Sequence, residues 1–81
     1  MKVDVRLFAV ARDLAGSDFI SLELPAGSTV AQLRARLSAE IPALAGVLPH
    51  ILIAVGSDYV RDDAIIPAGS EVACIPPVSG G

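Results

Sequence analysis

Apolar and polar residues alternate near the start of the chain, which predicts β-strands there. Residues 2–10 place apolar side chains on one side and mostly charged ones on the other, a period of two that is typical of a half-buried strand. Phe8 lies on the polar side and breaks the pattern. Residues 19–24 alternate again, after a short helical segment that stops at Gly16. We therefore expect the first two strands to pair like a hairpin.

A helix is predicted to begin after Thr29. Thr29 and Gln32 have the three-residue spacing of a capping box, in which each side chain bonds the backbone N–H of the other residue. Pro42 ends the helix because proline has no N–H and clashes with the preceding turn. Apolar residues recur at steps of three and four along this segment, which gives one stripe to lie on a sheet. They are Val30, Leu33, Leu37 and Ile41.

Three further strands are predicted in the second half. Residues 51–55 form a continuous apolar run that indicates a central strand, residues 59–60 a short edge strand, and residues 71–75 an alternating last strand. The order favours an α+β fold in which one main helix crosses a mixed sheet of four to five strands. We expect a domain over residues 1–75 and an extended C-terminal tail over residues 76–81.

Charge and length exclude several classes of function. The chain has 81 residues, a net charge of −3 and a pI near 4.7, whereas nucleic-acid and anionic membrane surfaces need clustered Lys and Arg. The last twenty residues carry no positive charge, so a positive complement to the terminal carboxylate has to come from a partner. No apolar stretch has the length of a signal peptide core or a membrane span. We expect a cytoplasmic protein that binds neither nucleic acid nor membrane.

The chain offers little chemistry of its own. One cysteine, Cys74, and one histidine, His50, give no disulfide and no constellation for a structural zinc site. Cys74 lies in an alternating strand and is expected to be a buried, inert thiol rather than a nucleophile. His50 is expected to be a surface or cap residue rather than a base. No phosphate-binding Gly-x-x-x-x-Gly-Lys-Ser/Thr loop is present, so we expect no metal and no cofactor bound by this chain.

The last six residues carry the candidate reactive group. Gly80 and Gly81 have no Cβ, so a Gly-Gly end can thread a narrow slot and adopt backbone angles that are closed to other residues. Pro76 and Pro77 end the preceding ladder and project an extended arm, and six residues reach at most about 20 Å. The Gly81 carboxylate is the best candidate for the reacting group. The alternative is an end that frays without a function.

The chain resembles the ubiquitin-like β-grasp proteins, and among them the ThiS-like sulfur carriers. Residues 7–16, Leu-Phe-Ala-Val-Ala-Arg-Asp-Leu-Ala-Gly, are similar to the opening of the small subunits of molybdopterin synthase. The C-terminal ends of those subunits are similar to two segments of this chain. These are residues 69–72, Gly-Ser-Glu-Val, and residues 75–81, Ile-Pro-Pro-Val-Ser-Gly-Gly. The resemblance runs the whole length of the chain and implies a β-grasp fold.

The resemblance also implies a carrier cycle that centres on Gly81. A ubiquitin-activating-type adenylyltransferase would use ATP to adenylate the Gly81 carboxylate, and a sulfur donor protein would then replace AMP to leave a thiocarboxylate. In the large subunit of the synthase, expected to assemble with this chain as a heterotetramer, the sulfur would attack cyclic pyranopterin monophosphate and build the molybdopterin dithiolene. This chain supplies no catalytic side chain for those steps, so whether it counts as an enzyme stays open.

Docking to the large subunit is expected to involve the outward side of the sheet. If Val72 and Cys74 face the helix, Ala73 and Ile75 face outward and could form an apolar patch with Phe8. The alternatives are scattered surface residues and a Phe8 ring tucked under the following turn. The tail residues that we expect to contact the partner are Pro76, Pro77, Val78 and Ser79, followed by Gly80.

Other functions remain open at this point. The same activated Gly81 could be joined to a lysine of another protein, as in ubiquitin-like modification. The chain could also carry sulfur for thiamine or cysteine biosynthesis. A binding module with ubiquitin-like shape is the weakest alternative, because binding through a sheet needs no Gly-Gly end.

Overall fold

The computed structural model describes residues 1–77. The expected order of strands and main helix is confirmed, the expected short helical segment before Gly16 is present, and two 3₁₀ turns follow the main helix. The elements are β1 (Lys2–Leu7), α1 (Ala9–Ala15), β2 (Phe19–Glu23), α2 (Val30–Glu40), the 3₁₀ turns Pro42–Leu44 and Leu48–His50, β3 (Leu52–Val55), β4 (Asp58–Val60) and β5 (Glu71–Ile75).

The five strands form one mixed sheet in the order β2-β1-β5-β3-β4. β1 pairs with β2 antiparallel and with β5 parallel, while β3 pairs antiparallel with both β4 and β5. The last strand in sequence is therefore the middle strand of the sheet. The α+β arrangement expected from the pattern is confirmed, and β3 and β4 occupy the interior and edge positions that were expected.

The predicted capping box starts α2. The Thr29 side chain accepts a hydrogen bond from the Gln32 N–H at 3.3 Å, and the Gln32 side chain accepts one from the Thr29 N–H at 2.8 Å. These two bonds satisfy donors that the first helical turn would otherwise leave free. The helix ends at Glu40, two residues before Pro42, as the sequence indicates.

α2 buries its apolar stripe against one face of the sheet, which we call the inner face. Val30, Leu33 and Leu37 are fully buried, and Ile41 packs partly buried against the same core. The inner face contributes alternate residues of the three central strands. They are Val3, Val5 and Leu7 of β1, Val72 and Cys74 of β5, and Ile53 of β3. Across residues 1–77, no helix is both long and apolar enough to cross a bilayer.

The first strand is shorter than the alternation predicts. β1 ends at Leu7 rather than Val10, and α1 already begins at Ala9, where φ is +51°. Ala11 of this helix is completely buried, so burial of a helical face replaces continuation of the strand. Gly16 closes α1 in the left-handed conformation, and its N–H donates to the Arg12 carbonyl at 2.9 Å, as expected for a glycine C-cap.

Candidate functional site

The middle strand β5 presents alternate side chains to the two sides of the sheet, and we call the side opposite α2 the outer face. Val72 and Cys74 are fully buried on the inner face, whereas Ala73 and Ile75 are only partly buried. This alternation confirms the expected orientation of β5. β5 ends at Ile75 on the outer face, and Pro76 and Pro77 follow it directly in the chain.

Phe8 lies next to the end of β5. Leu7 pairs with Cys74 in the parallel β1–β5 register, so the residues one step further along each strand, Phe8 and Ile75, are neighbours. The Phe8 N–H donates to the Cys74 carbonyl at 3.2 Å. The Phe8 side chain is 45% exposed, so nearly half of its surface is open to a partner.

The register adds residues that the sequence did not reveal. Ala73 lies opposite Ala54, Ile75 opposite Leu52, and Ala54 in turn opposite Tyr59. Directly paired residues point to the same side of a sheet, so Leu52 and Tyr59 extend the outer face across β3 and β4. Their side chains are 46% and 65% exposed. We call the resulting surface the apolar patch, and it consists of Phe8, Leu52, Tyr59, Ala73 and Ile75. The buried Ala54 lies between Ala73 and Tyr59 in the strand pairing.

Nothing local in the sequence marks Leu52 and Tyr59 as members of this surface. Residues 51–55 are uniformly apolar, so the run does not distinguish the outer face from the inner one. Tyr59 belongs to the patch only because β4 pairs with β3. Knowledge of the strand order would have been sufficient to find both.

The outer face is polar on the side of β1 and β2. Arg6 Nε donates to Glu71 Oε1 at 3.0 Å, and the Ser21 hydroxyl donates to Asp4 Oδ1 at 2.8 Å. A cleft of about 220 Å³ lies here and is lined by Asp4, Arg6, Phe19, Gly69, Ser70 and Glu71. The apolar patch therefore occupies the part of the face where β5 ends, and charged groups border it.

The expected tail residues fall in two groups. Pro76 is partly buried and Pro77 is exposed, and both follow β5 without belonging to a strand. Val78, Ser79, Gly80 and Gly81 lie outside the described residues. The structure thus brings Phe8, Ala73, Ile75 and the start of the tail to one place.

Cys74 is buried, as the pattern predicts. Its side chain is 0% exposed, and burial raises the pKa of the thiol to about 11, although the positive charge of Arg34 opposes the shift. The thiolate is the nucleophilic form of cysteine, and at neutral pH this side chain remains a neutral thiol. His50 is exposed at the end of the second 3₁₀ turn, as expected for a surface residue. Within residues 1–77, acidic, histidine and cysteine side chains form no cluster suited to a metal ion.

Comparison with known proteins finds one family model and several relatives that match this chain over nearly all of its length. The model of the ThiS family matches residues 5–81. The molybdopterin synthase sulfur carrier subunit of Arabidopsis thaliana is 37% identical over 81 residues, which cover 100% of this chain and 84% of that protein. Small archaeal modifier protein 3 of Haloferax volcanii is 32% identical over 92 residues, with 100% of both chains covered.

Solved structures agree with the fold. The crystal structure of SAMP1 from Haloferax volcanii superimposes with a TM-score of 0.88 at 28% identity and covers 100% of both chains. The strand order, the single main helix and this likeness together confirm the ubiquitin-like β-grasp fold. The resemblance that the terminal motifs indicated is therefore a measured similarity over the full chain.

Proposed function

The chain belongs to the ThiS family, and from this premise we propose that it is a sulfur carrier whose reacting group is the carboxylate of Gly81. The carboxylate is adenylated by an ATP-dependent activating enzyme and then converted to a thiocarboxylate by a sulfur donor protein. Two transfers of this sulfur to cyclic pyranopterin monophosphate form the dithiolene of molybdopterin. The similarity to a relative named as the sulfur carrier subunit of molybdopterin synthase supports this choice of pathway.

The observation that carries the proposal is the path of β5. The strand lies in the middle of the sheet and ends beside the apolar patch, so a partner that covers the patch also receives the segment that starts at Pro76. Exposed apolar surface of this kind is a common mark of a protein interface, and aromatic side chains such as Phe8 and Tyr59 are frequent energetic anchors. We propose that the large subunit of the synthase binds here.

The chain itself contributes binding and delivery. Cys74 is buried and neutral at physiological pH, so it is a poor candidate for an intermediate sulfur carrier. We propose that the adenylylation and the transfer steps use side chains of the partner proteins. The domain over residues 1–75 is the part that partners recognise, and residues 76–81 are the part that enters their active sites.

Mass measurement of the intact chain tests the proposal. We expect incubation with ATP, a cognate activating enzyme and a sulfur donor to raise the mass by the difference between sulfur and oxygen. Addition of a cognate large subunit and the pterin precursor should then reverse this increase and yield molybdopterin. Gly81→Ala adds a methyl group next to the reacting carbon and should slow loading strongly. Gly46→Ala is the matched control, because a Cβ there meets no atom within 4 Å.

A chain extended beyond Gly81 provides the opposite test. An added residue moves the carboxylate away from the position that the activating enzyme recognises, so loading should be lost. Normal loading of the extended chain would rule out Gly81 as the reacting residue.

Protein modification is the second candidate function, and the similarity to small archaeal modifier protein 3 favours keeping it. In this case the activated Gly81 would be joined to an amine of another protein. The two functions differ in product, because a conjugate adds the mass of a whole protein. Recovery of the chain from cells only as such conjugates, without thiocarboxylate, would favour modification over sulfur transfer.

A further inference from the structure

Lys2 is the only lysine of the chain. The other five basic residues are arginines, and an arginine side chain remains protonated at all ordinary pH values, so it does not act as an amine nucleophile. An activated carboxylate reacts readily with free amines. Each copy of the chain therefore has only two amines that could react with an activated Gly81, namely Lys2 and the N-terminal amine.

The N-terminal amine is held by a hydrogen bond and an ion pair. It donates to the Leu24 carbonyl at 2.5 Å in a part-buried position, and it lies 3.7 Å from Glu23 Oε2. Attack by this nitrogen on an acyl group requires both contacts to break. Lys2, by contrast, is exposed on β1, so it is the accessible amine.

The fold places Lys2 far from the point where the tail begins. β1 and β5 run parallel, with Asp4 opposite Glu71 and Leu7 opposite Cys74. β5 ends at Ile75, level with Phe8, whereas Lys2 lies six residues before Phe8, or roughly 20 Å away at the rise of a strand. Residues 76–81 span at most about 20 Å when fully extended. To reach Lys2 of the same molecule, they would have to run straight back along the sheet.

Lys2 of a second molecule carries no such constraint. We propose that Lys2 is the site at which one copy of this chain accepts the activated Gly81 carboxylate of another copy. The inference rests on the activation step of the proposed function. The product is a pair of chains joined head to tail, in which the accepting copy keeps its own Gly81 free.

The chemistry is an acyl transfer without oxidation or reduction. The deprotonated Lys2 Nζ attacks the carbonyl carbon of the Gly81 acyl adenylate and forms a C–N bond. The bond between that carbon and the phosphate-bound oxygen breaks, and AMP leaves with the electron pair. The nitrogen releases one proton to solvent, and an isopeptide bond remains.

A chemically activated chain tests the acceptor without any enzyme. The full chain is prepared with a Gly81 thioester by intein cleavage, incubated at mildly alkaline pH, and followed by intact mass and peptide mapping. We expect a two-copy product joined at Lys2, and at least a tenfold loss of that product in Lys2→Arg, which keeps the positive charge. A two-copy product that persists in Lys2→Arg, or a wild-type chain that forms none, would overturn the inference.

A charge-matched variant tests the geometry. Arg12 lies on α1, which contacts β5, so Arg12→Lys places an amine near the start of the tail. We expect this variant to form a one-copy product that has lost its thiol by cyclisation, whereas the wild-type chain forms none. Cyclisation of the wild-type chain at Lys2 would contradict the separation of the two ends.

The same variants separate this inference from the proposed function. Enzymatic sulfur loading of the chain, together with no thioester product at Lys2, would overturn the inference alone. A Lys2-dependent two-copy product, together with no sulfur loading by the activating enzyme and donor, would overturn the sulfur-carrier proposal alone.

Discussion

Phe8 and Cys74 are joined through their backbones, since the Phe8 N–H donates to the Cys74 carbonyl at 3.2 Å. The bond continues the parallel pairing of β1 and β5 by one residue beyond the end of β1. The two residues are backbone neighbours, but the Phe8 ring is half-exposed and the Cys74 thiol is fully buried. The two side chains therefore lie on opposite faces of the sheet, although they belong to adjacent positions.

Phe8→Asp should weaken binding of the large subunit without unfolding the domain. The ring is 45% exposed in the free chain, so a charged replacement costs little there, whereas a buried unpaired carboxylate in the complex is unfavourable. We expect at least a tenfold loss of affinity, or about 1.4 kcal/mol, by titration calorimetry, with unchanged circular dichroism.

Val10→Asp is the matched control for Phe8→Asp. Val10 is similarly exposed, at 42%, but it lies on α1 outside the apolar patch. Equal losses of affinity in the two variants would remove the patch as the specific interface.

The ionisation of Cys74 should make the fold less stable at high pH. Burial raises the pKa of the folded thiol from 9.0 to about 11, so the unfolded chain loses its proton first as the pH rises. The contribution of the protonated thiol to the free energy of unfolding is complete below pH 9 and is lost between pH 9 and about 11. The total loss is roughly 3 kcal/mol.

Urea denaturation at pH 8 and pH 11 measures this effect. Cys74→Ala is the comparison, because it removes the titrating group; it should show a smaller fall in the free energy of unfolding between the two pH values. The same variant should retain sulfur loading. An identical pH dependence of the two chains would show that other groups cause the loss, and a folded Cys74→Ala chain without loading would contradict the inert role.

Local signals in the sequence were sufficient for most elements. The Thr29–Gln32 spacing identified the start of α2, Gly16 the end of α1, and alternation the whole of β5. Each of these signals acts within a few residues of where it is read, so no knowledge of the tertiary fold is needed.

The remaining features depend on contacts between distant residues. The apolar patch gains Leu52 and Tyr59 only through strand pairing, which a linear pattern does not encode. The end of β1 was misplaced because Ala9 and Val10 continue the alternation, although burial of Ala11 favours a helix there. The site was thus predictable where β5 and the tail define it, and not where β3 and β4 complete it.

Arg34 should contribute more to stability than its neighbour Arg36. Arg34 Nε donates to Asp62 Oδ1 at 2.9 Å, and Arg34 also donates to the Leu48 carbonyl. Its side chain is only 18% exposed, so Arg34→Ala leaves polar groups without partners at a cost of about 1–3 kcal/mol.

Arg36→Ala provides the control, because Arg36 pairs with Glu40 at 2.9 Å on the exposed surface of the same helix. Such pairs contribute about 0.3–0.5 kcal/mol. Arg34→Lys should recover only part of the loss, since one ammonium group lacks the planar fork that reaches both partners. Equal midpoints of urea unfolding for Arg34→Ala and Arg36→Ala would refute the assignment.

Ala9→Gly should stabilise the fold. Ala9 has a φ of +51°, a left-handed conformation that costs an L-residue roughly 1–2 kcal/mol and glycine very little. Glycine has more entropy than alanine in the unfolded chain, and this offsets part of the gain. We therefore expect a net increase of about 0.5–1 kcal/mol in the free energy of unfolding. Ala35→Gly, at an exposed position inside α2, should instead lower it by about 1 kcal/mol. Urea denaturation of both variants measures the contrast, and a loss at both positions would mean that the turn at Ala9 stores no strain.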